Sequence, residues 1–128
     1  MLDRMNRTHE ITLMARTTPV ARQWGFYTVI ARGERWRTKI LVVEPGKQTS
    51  LQRHMHRREF WTVVEGTAEI KHHSPVLIGD RILRENDTAD IAPQEWHQIK
   101  NPGSIPLVMV ETWTGEHLDE DDIERKVV

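Results

Sequence analysis

No cysteine occurs in the 128 residues, which excludes disulfides, thiolate nucleophiles and thiolate metal ligands. Charge of either sign is not in excess. The 18 basic residues stand against 19 acidic ones, so no global field draws the chain to nucleic acid or to an anionic membrane. No apolar run approaches the roughly 20 residues that a spanning helix needs. The amino-terminal stretch MLDRMNRTHEITLMART is broken by charges throughout and lacks a signal peptide's apolar segment. A soluble protein in the cytoplasm, with no nucleic-acid or membrane partner, is the expectation. There is no internal repeat, low-complexity tract or linker, and the length suits one domain with its own core. We read residues 1–17 as an amino-terminal arm, with a short strand over Ile11–Met14, and residues 18–128 as a single domain.

What is present is a rhythm of short strand-like runs. Phe26–Ala31, Trp36–Glu44, Phe60–Glu65, Thr67–Lys71, Ile82–Leu83, Thr88–Ala92, Trp96–Lys100 and Pro106–Trp113 are rich in Val, Ile, Thr and Trp. Gly, Pro, Asn and Asp punctuate them, as in Pro45-Gly46, Glu85-Asn86-Asp87 and Asn101-Pro102-Gly103. This pattern predicts an all-β sandwich or barrel. The exception is the tail from Leu118 to Lys126, where acids lead and bases trail as a helix dipole prefers, so a short helical turn is expected there. The pair His72-His73 reads as a surface turn, and Asp119 through Asp122 as solvated acids. The five tryptophans read as core or interface residues before sugar-stacking ones.

The stretch PGKQTSLQRHMHRREFWTVVEG, from Pro45 to Gly66, is polar where a β-protein ordinarily starts to bury side chains. Residues two apart on a strand share a face, so Gln52, His54 and His56 project together if the chain is extended, with Glu59 just beyond. His97 lies far along the chain. Imidazoles, a carboxylate and an amide oxygen form a mixed nitrogen and oxygen donor set suited to Zn, Mn, Fe, Co or Ni. The alternative is a metal-free polar cluster that binds its ligand by hydrogen bonds.

The same stretch resembles the first motif of the cupin superfamily, Gly-x5-His-x-His-x3–4-Glu-x6-Gly. The register Gly46, Gln52, His54, Glu59, Gly66 keeps every spacing, with Gln52 in place of the first histidine. Pro93-Gln-Glu-Trp-His97-Gln-Ile-Lys-Asn101 is similar to the second motif, although it lacks that motif's glycine and one residue. The resemblance implies a small double-stranded β-helix, or jelly-roll, barrel with a divalent metal held by Gln52, His54, Glu59 and His97. His56 is an alternate ligand or a neighbouring acid/base. A homodimer is expected from the fold analogy.

The likeness narrows further. Arg22-Gln-Trp24-Gly25-Phe-Tyr27, Val43-Glu-Pro45-Gly46, Ser50-Leu51-Gln52-Arg-His54-Met-His56-Arg57-Arg-Glu59-Phe-Trp61 and Val64-Glu-Gly66-Thr-Ala68 are similar to the motifs of type II mannose-6-phosphate isomerases. So are Asn101-Pro102-Gly103 and Gly115-Glu116-His-Leu118-Asp-Glu120-Asp121-Asp122-Ile123. Those isomerases are usually the carboxy-terminal part of bifunctional enzymes that also carry a mannose-1-phosphate guanylyltransferase domain. The Gly-rich nucleotide loop is absent here, so nucleotidyl transfer is not expected. Gln23 replaces the family's usual Pro. The chain stops just after Arg125, where the family continues with a tyrosine- and arginine-bearing tail. If that tail supplies a phosphate contact, reduced activity or another substrate is expected.

An aldose–ketose isomerase needs a Lewis acid for the oxyanion, a base near the reacting C–H, and cations for the phosphate. Arg57 and Glu59 fall on the family's Arg-x-Glu. The resemblance therefore implies Arg57 and Glu59 as catalytic residues, with Arg57 contacting a sugar phosphate; His56 joins them as the candidate acid/base because an imidazole beside a metal can titrate near neutrality. Arg37 and Lys39, two apart in the Trp36 strand, share a face and form a second anion contact if that face is inward, the alternative being an outward, solvated face. Glu95 is a weaker acid/base candidate and reads first as a turn residue. Two other functions stay open: a non-catalytic sugar- or sugar-phosphate-binding domain with a regulatory or accessory role, and a metal-dependent dioxygenase.

Overall fold

A computed structural model of the chain describes residues 11–13, 17–73 and 78–126. Its strands are β1 (Thr12–Leu13), β2 (Val20–Arg22), β3 (Gly25–Arg32), β4 (Trp36–Val43), β5 (Leu51–Arg53) and β6 (Arg58–Glu65). They continue with β7 (Ala68–His73), β8 (Ile78–Leu83), β9 (Thr88–Ile91), β10 (Trp96–Lys100), β11 (Leu107–Thr114) and β12 (Glu124–Lys126). The pairs are antiparallel. One sheet has the order β1-β3-β4-β11-β6-β9, with β2 on β3, and the other the order β12-β5-β10-β7-β8. Each strand expected from the sequence forms, with its bounds moved by a few residues. The three-residue β2, β5 and β12 are additions.

Strand alternation divides the interior. In β11 the buried positions are Leu107, Met109, Glu111 and Trp113. In β4 they are Lys39, Leu41 and Val43, and in β6 Glu59, Trp61 and Val63. The register sets Val43 opposite Leu107 and Lys39 opposite Glu111. The inward face of this sheet is therefore apolar at one end and polar at the other. The apolar end packs Val43, Val63, Leu107 and Met109 against Ala68, Ile70, Leu83 and Ile99 of the second sheet. Burial of such side chains stabilises by about 1.5–3 kcal/mol each.

Asn101 joins two corners of this core. It is fully buried, donates to the Val43 and Ile105 carbonyls, and accepts from Gly103 N–H. The β4–β5 and β10–β11 turns are thereby locked together with no amide group left unpaired. Gly25 is required at its own corner, since a Cβ there would stand 2.0 Å from the Val42 carbonyl oxygen.

The tail corrects one expectation. Among the described residues there is no helix, and Leu118–Ile123 runs as a turn before β12 pairs with β5. Two competing interactions account for this. The Asp122 carboxylate accepts from the N–H groups of Met55 and His56, at 2.9 and 3.0 Å, and β5 offers an open edge. A helix from Leu118 would forfeit both. Asp122 is thus a tethered acid, not a solvated one.

Candidate active site

At the polar end, His54 just after β5, Glu59 on β6 and His97 on β10 come together. All three are buried, and one ligand-capable atom from each lies within 4.8 Å of the others. Gln52 stands opposite His97 in the β5–β10 pair, which puts the two side chains on one face. It lines the adjoining cavity of about 1040 Å³.

Neighbouring carbonyls fix the tautomers. His54 Nδ1 lies 2.7 Å from the Asp122 carbonyl oxygen, and His97 Nδ1 lies 2.9 Å from that of Glu95. A carbonyl can only accept, so both Nδ1 atoms donate, and in the neutral rings both Nε2 atoms carry the lone pair; His54 Nε2 also lies 3.0 Å from Glu59 Oε2. His97 Nε2 is sealed from solvent and has no hydrogen-bond partner among the described residues. Burial pushes the His97 pKa down, against the pull of Glu59, and so favours the neutral ring. Burial alone would raise the Glu59 pKa. The close contact with His54 and the nearby His97 and Arg57 outweigh it and hold the carboxyl well below the usual range. Two imidazole lone pairs, one of them orphaned, and an ionised carboxylate fit a divalent cation of the nitrogen- and oxygen-binding class. Both histidines also have the outer hydrogen bonds that orient metal ligands.

Arg57 occupies the border between this cluster and the cavity. Its Nε donates to Glu59 Oε2 at 3.0 Å and its Nη2 to His54 Nε2 at 3.1 Å. The guanidinium lies 3.3 Å from the centre of the Trp113 ring, a cation–π contact. An imidazole nitrogen has one lone pair, so His54 Nε2 serves either this hydrogen bond or a metal ion. Glu59 is anchored from the other side by Trp61 Nε1, at 3.0 Å.

Lys39 is buried at 3 % exposure, which answers the question of its strand face. Its Nζ donates to Glu120 at 2.7 Å and stands 3.7 Å from the Trp113 ring centre and 4.2 Å from that of Tyr27. Burial lowers its pKa and the Glu120 carboxylate opposes that. Arg37, on the same face, is half-buried, also reaches Glu120, and lies in a smaller hollow beside the tail.

His56 does not join the cluster. It is exposed, lies edge-on to His117 with ring centres 5.1 Å apart, and follows a turn that Asp122 holds by the backbone. The extended geometry that would align it with His54 breaks at residue 54, so neither the alternate-ligand nor the acid/base reading suits its position. Glu95 is a turn residue, and a buried one. Its carboxylate bonds Ala92 N–H and His72 Nδ1 while its carbonyl orients His97. His72, expected at the surface, is buried, because β7 runs on to His73 and His72 shares the inward phase of Ile70. Trp61 and Trp113 belong to core and cavity alike.

The residue sequence reasoning missed is Glu111. It is buried at 6 % exposure, lines the cavity, and lies across from Lys39. Burial and then the charge of Glu59 push its pKa up to about 8, with Lys39 and Trp113 pulling the other way. The signal was the alternation Leu107, Met109, Glu111, Trp113, which sets a carboxyl in the core phase of a strand.

Known proteins bear on this arrangement. Xanthan biosynthesis protein XanB of Xanthomonas campestris is 44% identical over 106 residues, which is 83% of this chain and 22% of that protein. Alginate biosynthesis protein AlgA of Pseudomonas putida is 43% identical, with 83% of this chain and 21% of that protein covered. A mannose-1-phosphate guanylyltransferase of Sinorhizobium fredii is 46% identical, over 81% of this chain and 20% of its own length. The chain thus spans about a fifth of these relatives. Among solved structures, a double-stranded beta-helix protein from Klebsiella pneumoniae superposes with a TM-score of 0.67 at 20% identity, covering 84% of this chain and 78% of that one. Oxalate decarboxylase from Bacillus subtilis reaches 0.78 at 12% identity, over 90% of this chain and 31% of its own. These likenesses establish the double-stranded β-helix fold. The family described as mannose-6-phosphate isomerase C-terminal matches residues 9–127, and the chain belongs to that family.

Proposed function

We propose that this chain is a metal-dependent isomerase domain that interconverts mannose 6-phosphate and fructose 6-phosphate. One observation carries the proposal: a buried His54, Glu59 and His97 cluster opens on a cavity in which Arg57 and Lys39 present cationic groups. In this reading His54, Glu59, His97 and the amide oxygen of Gln52 would hold a divalent ion, which supplies Lewis-acid stabilisation of oxygen charge when bound. The residues of the chain do the rest. Arg57 and Lys39 attract the phosphate or the developing charge, and their stacking on Trp113 limits where they can reach. Glu120 closes the wall beside them, and Arg37 reaches the same carboxylate from the neighbouring hollow. Membership of the mannose-6-phosphate isomerase C-terminal family, with relatives named for xanthan and alginate biosynthesis, supports the substrate class.

A second reading has its own support. Arg57 satisfies His54 Nε2 and Glu59 Oε2 by itself, an arrangement that also suits a domain binding sugar phosphate without turnover. Metal analysis of the purified protein, followed by a mannose 6-phosphate to fructose 6-phosphate assay with and without chelator, separates the two. Conversion that chelator abolishes supports the isomerase. Absence of conversion with metal retained leaves the binding domain.

A further inference from the structure

Isomerisation between an aldose and a ketose needs a group that takes a proton from one carbon and gives it to the next. The histidines do not offer one. His54 and His97 have committed both ring nitrogens to the carbonyls and the ligand cluster, and His56 lies outside the cavity. Lys39 is held between Glu120 and two aromatic rings. Glu59 is engaged at both oxygens, by Trp61 on one and Arg57 on the other.

Glu111 differs. Its Oε1 accepts from Trp113 Nε1. Its Oε2 has no hydrogen-bond partner among the described residues and is not among the buried atoms cut off from contact, so it opens to the cavity that the side chain lines. The β4–β11–β6 register sets Glu111 between Lys39 and Trp61, one pleat from the row in which Trp113 faces Glu59. The carboxyl therefore lies on the same wall as Glu59, at the diagonal spacing of neighbouring strands. Among the described residues lining the cavity, only Glu111 combines burial with a carboxyl oxygen free of protein partners.

Resting on the isomerase reading above, we propose that Glu111 is the proton-transferring residue of this site. Its free oxygen removes the proton from C2 of the aldose phosphate, and the C–H electron pair remains on the sugar as an enediolate. Glu111 returns that proton to C1, while the hydroxyl proton of O2 ends on O1. No co-reactant is consumed. The charged groups facing it are Lys39 from β4, Glu59 from β6 and Arg57 from the turn before β6, with Glu120 of the tail reaching Lys39. Burial, the largest influence on it, raises its proton affinity above that of a free carboxylate, which strengthens it as a base toward carbon.

The test uses the full chain loaded with Mn²⁺, as wild type, Glu111→Gln and Glu111→Asp. Glutamine keeps the acceptor for Trp113, and thermal melts verify folding. Mannose 6-phosphate is incubated in D₂O and deuterium at C1 and C2 is followed by NMR. Metal content and sugar-phosphate affinity are measured alongside. Glu111→Gln is expected to retain both while exchange and conversion fall at least about a hundredfold. Glu111→Asp should recover part of the loss, and the pH dependence of the residual Gln rate should lose the wild-type limb. Exchange by Glu111→Gln at the wild-type rate overturns the assignment and leaves the isomerase reading standing. A wild type that holds Mn²⁺ yet neither exchanges nor converts overturns both. If Glu111→Gln does not fold, a Glu111→Asp variant with wild-type exchange and an unshifted pH profile overturns the assignment equally.

Discussion

Replacing Arg57 by methionine tests the electrostatic centre of the site. The guanidinium is 5 % exposed and stands 3.0 Å from Glu59 Oε2, and Glu59 is itself sealed. Methionine keeps an unbranched apolar side chain in the space but leaves the carboxylate without its cation. Removal of one member of a buried ion pair destabilises by about 3–5 kcal/mol. Trp61 Nε1 still serves Glu59, so the loss should fall near the lower end of that range. For a chain of this length, about 3 kcal/mol corresponds to a Tm lower by roughly 10 °C. Urea denaturation and calorimetry in chelator measure the change. Arg57→Met with Glu59→Gln should lose about 2 kcal/mol less than the sum of the single variants, because the second change removes the stranded charge. Metal carries a further consequence. A divalent ion held by the same carboxylate and imidazole would offset the missing guanidinium, so Zn²⁺ should raise the Tm of Arg57→Met more than that of wild type. An Arg57→Met protein within about 1 kcal/mol of wild type in chelator, with the denaturant slope unchanged, would refute the reasoning.

Two further outcomes follow from single residues. Gln94 holds φ at 69° in the turn that leads into β10, a conformation that strains a residue with a side chain, so Gln94→Gly should stabilise by about 1 kcal/mol in urea denaturation. The folded Glu111 carboxyl protonates at about 8, well above an unfolded glutamate, so the folded state binds the extra proton and stability falls as pH rises from roughly 4.5 to 8 and then levels. In chelator, the stability advantage of Glu111→Gln over wild type should therefore grow across that window, and an advantage independent of pH would contradict the assignment.

The strands were legible because their boundaries are written in Gly, Pro, Asn and Asp, and because Val, Ile and Thr recur between them. Three-residue β2, β5 and β12 were not, since so short a run carries no period to read. The tail misled for a definite reason. Its charge order suits a helix, but the open edge of β5 and the N–H groups of Met55 and His56 are long-range partners that charge order cannot reveal. His72 was misplaced because the Ser-Pro after it suggested an earlier turn, although Ala68, Ile70 and His72 share one phase. In the site, spacing was enough to single out Gln52, His54 and Glu59, and it left the direction of His56 open. Glu111 and the burial of Lys39 were available from strand phase. Their placement opposite each other was not, because it depends on how β4 and β11 register.

The two sheets contribute different chemistry to the site. Gln52 and His97, with His54 just beyond β5, belong to the sheet of β5 and β10 and bring neutral donors. Glu59, Glu111, Lys39 and Trp113 belong to β6, β11 and β4 and bring charge. Neither wall forms a site alone, and the segment that spans both is the tail. Asp122 fixes the tautomer of His54, the Asp119 carbonyl lies 3.4 Å from Arg57 Nη1, Glu120 holds Lys39, and β12 extends β5. These contacts explain how a protein of this size tolerates so many buried charges. The apolar end of the interior supplies the stability, and the tail restrains the polar end, whose groups would otherwise turn to water. Loosening the tail should therefore disturb ligand geometry before it disturbs the fold.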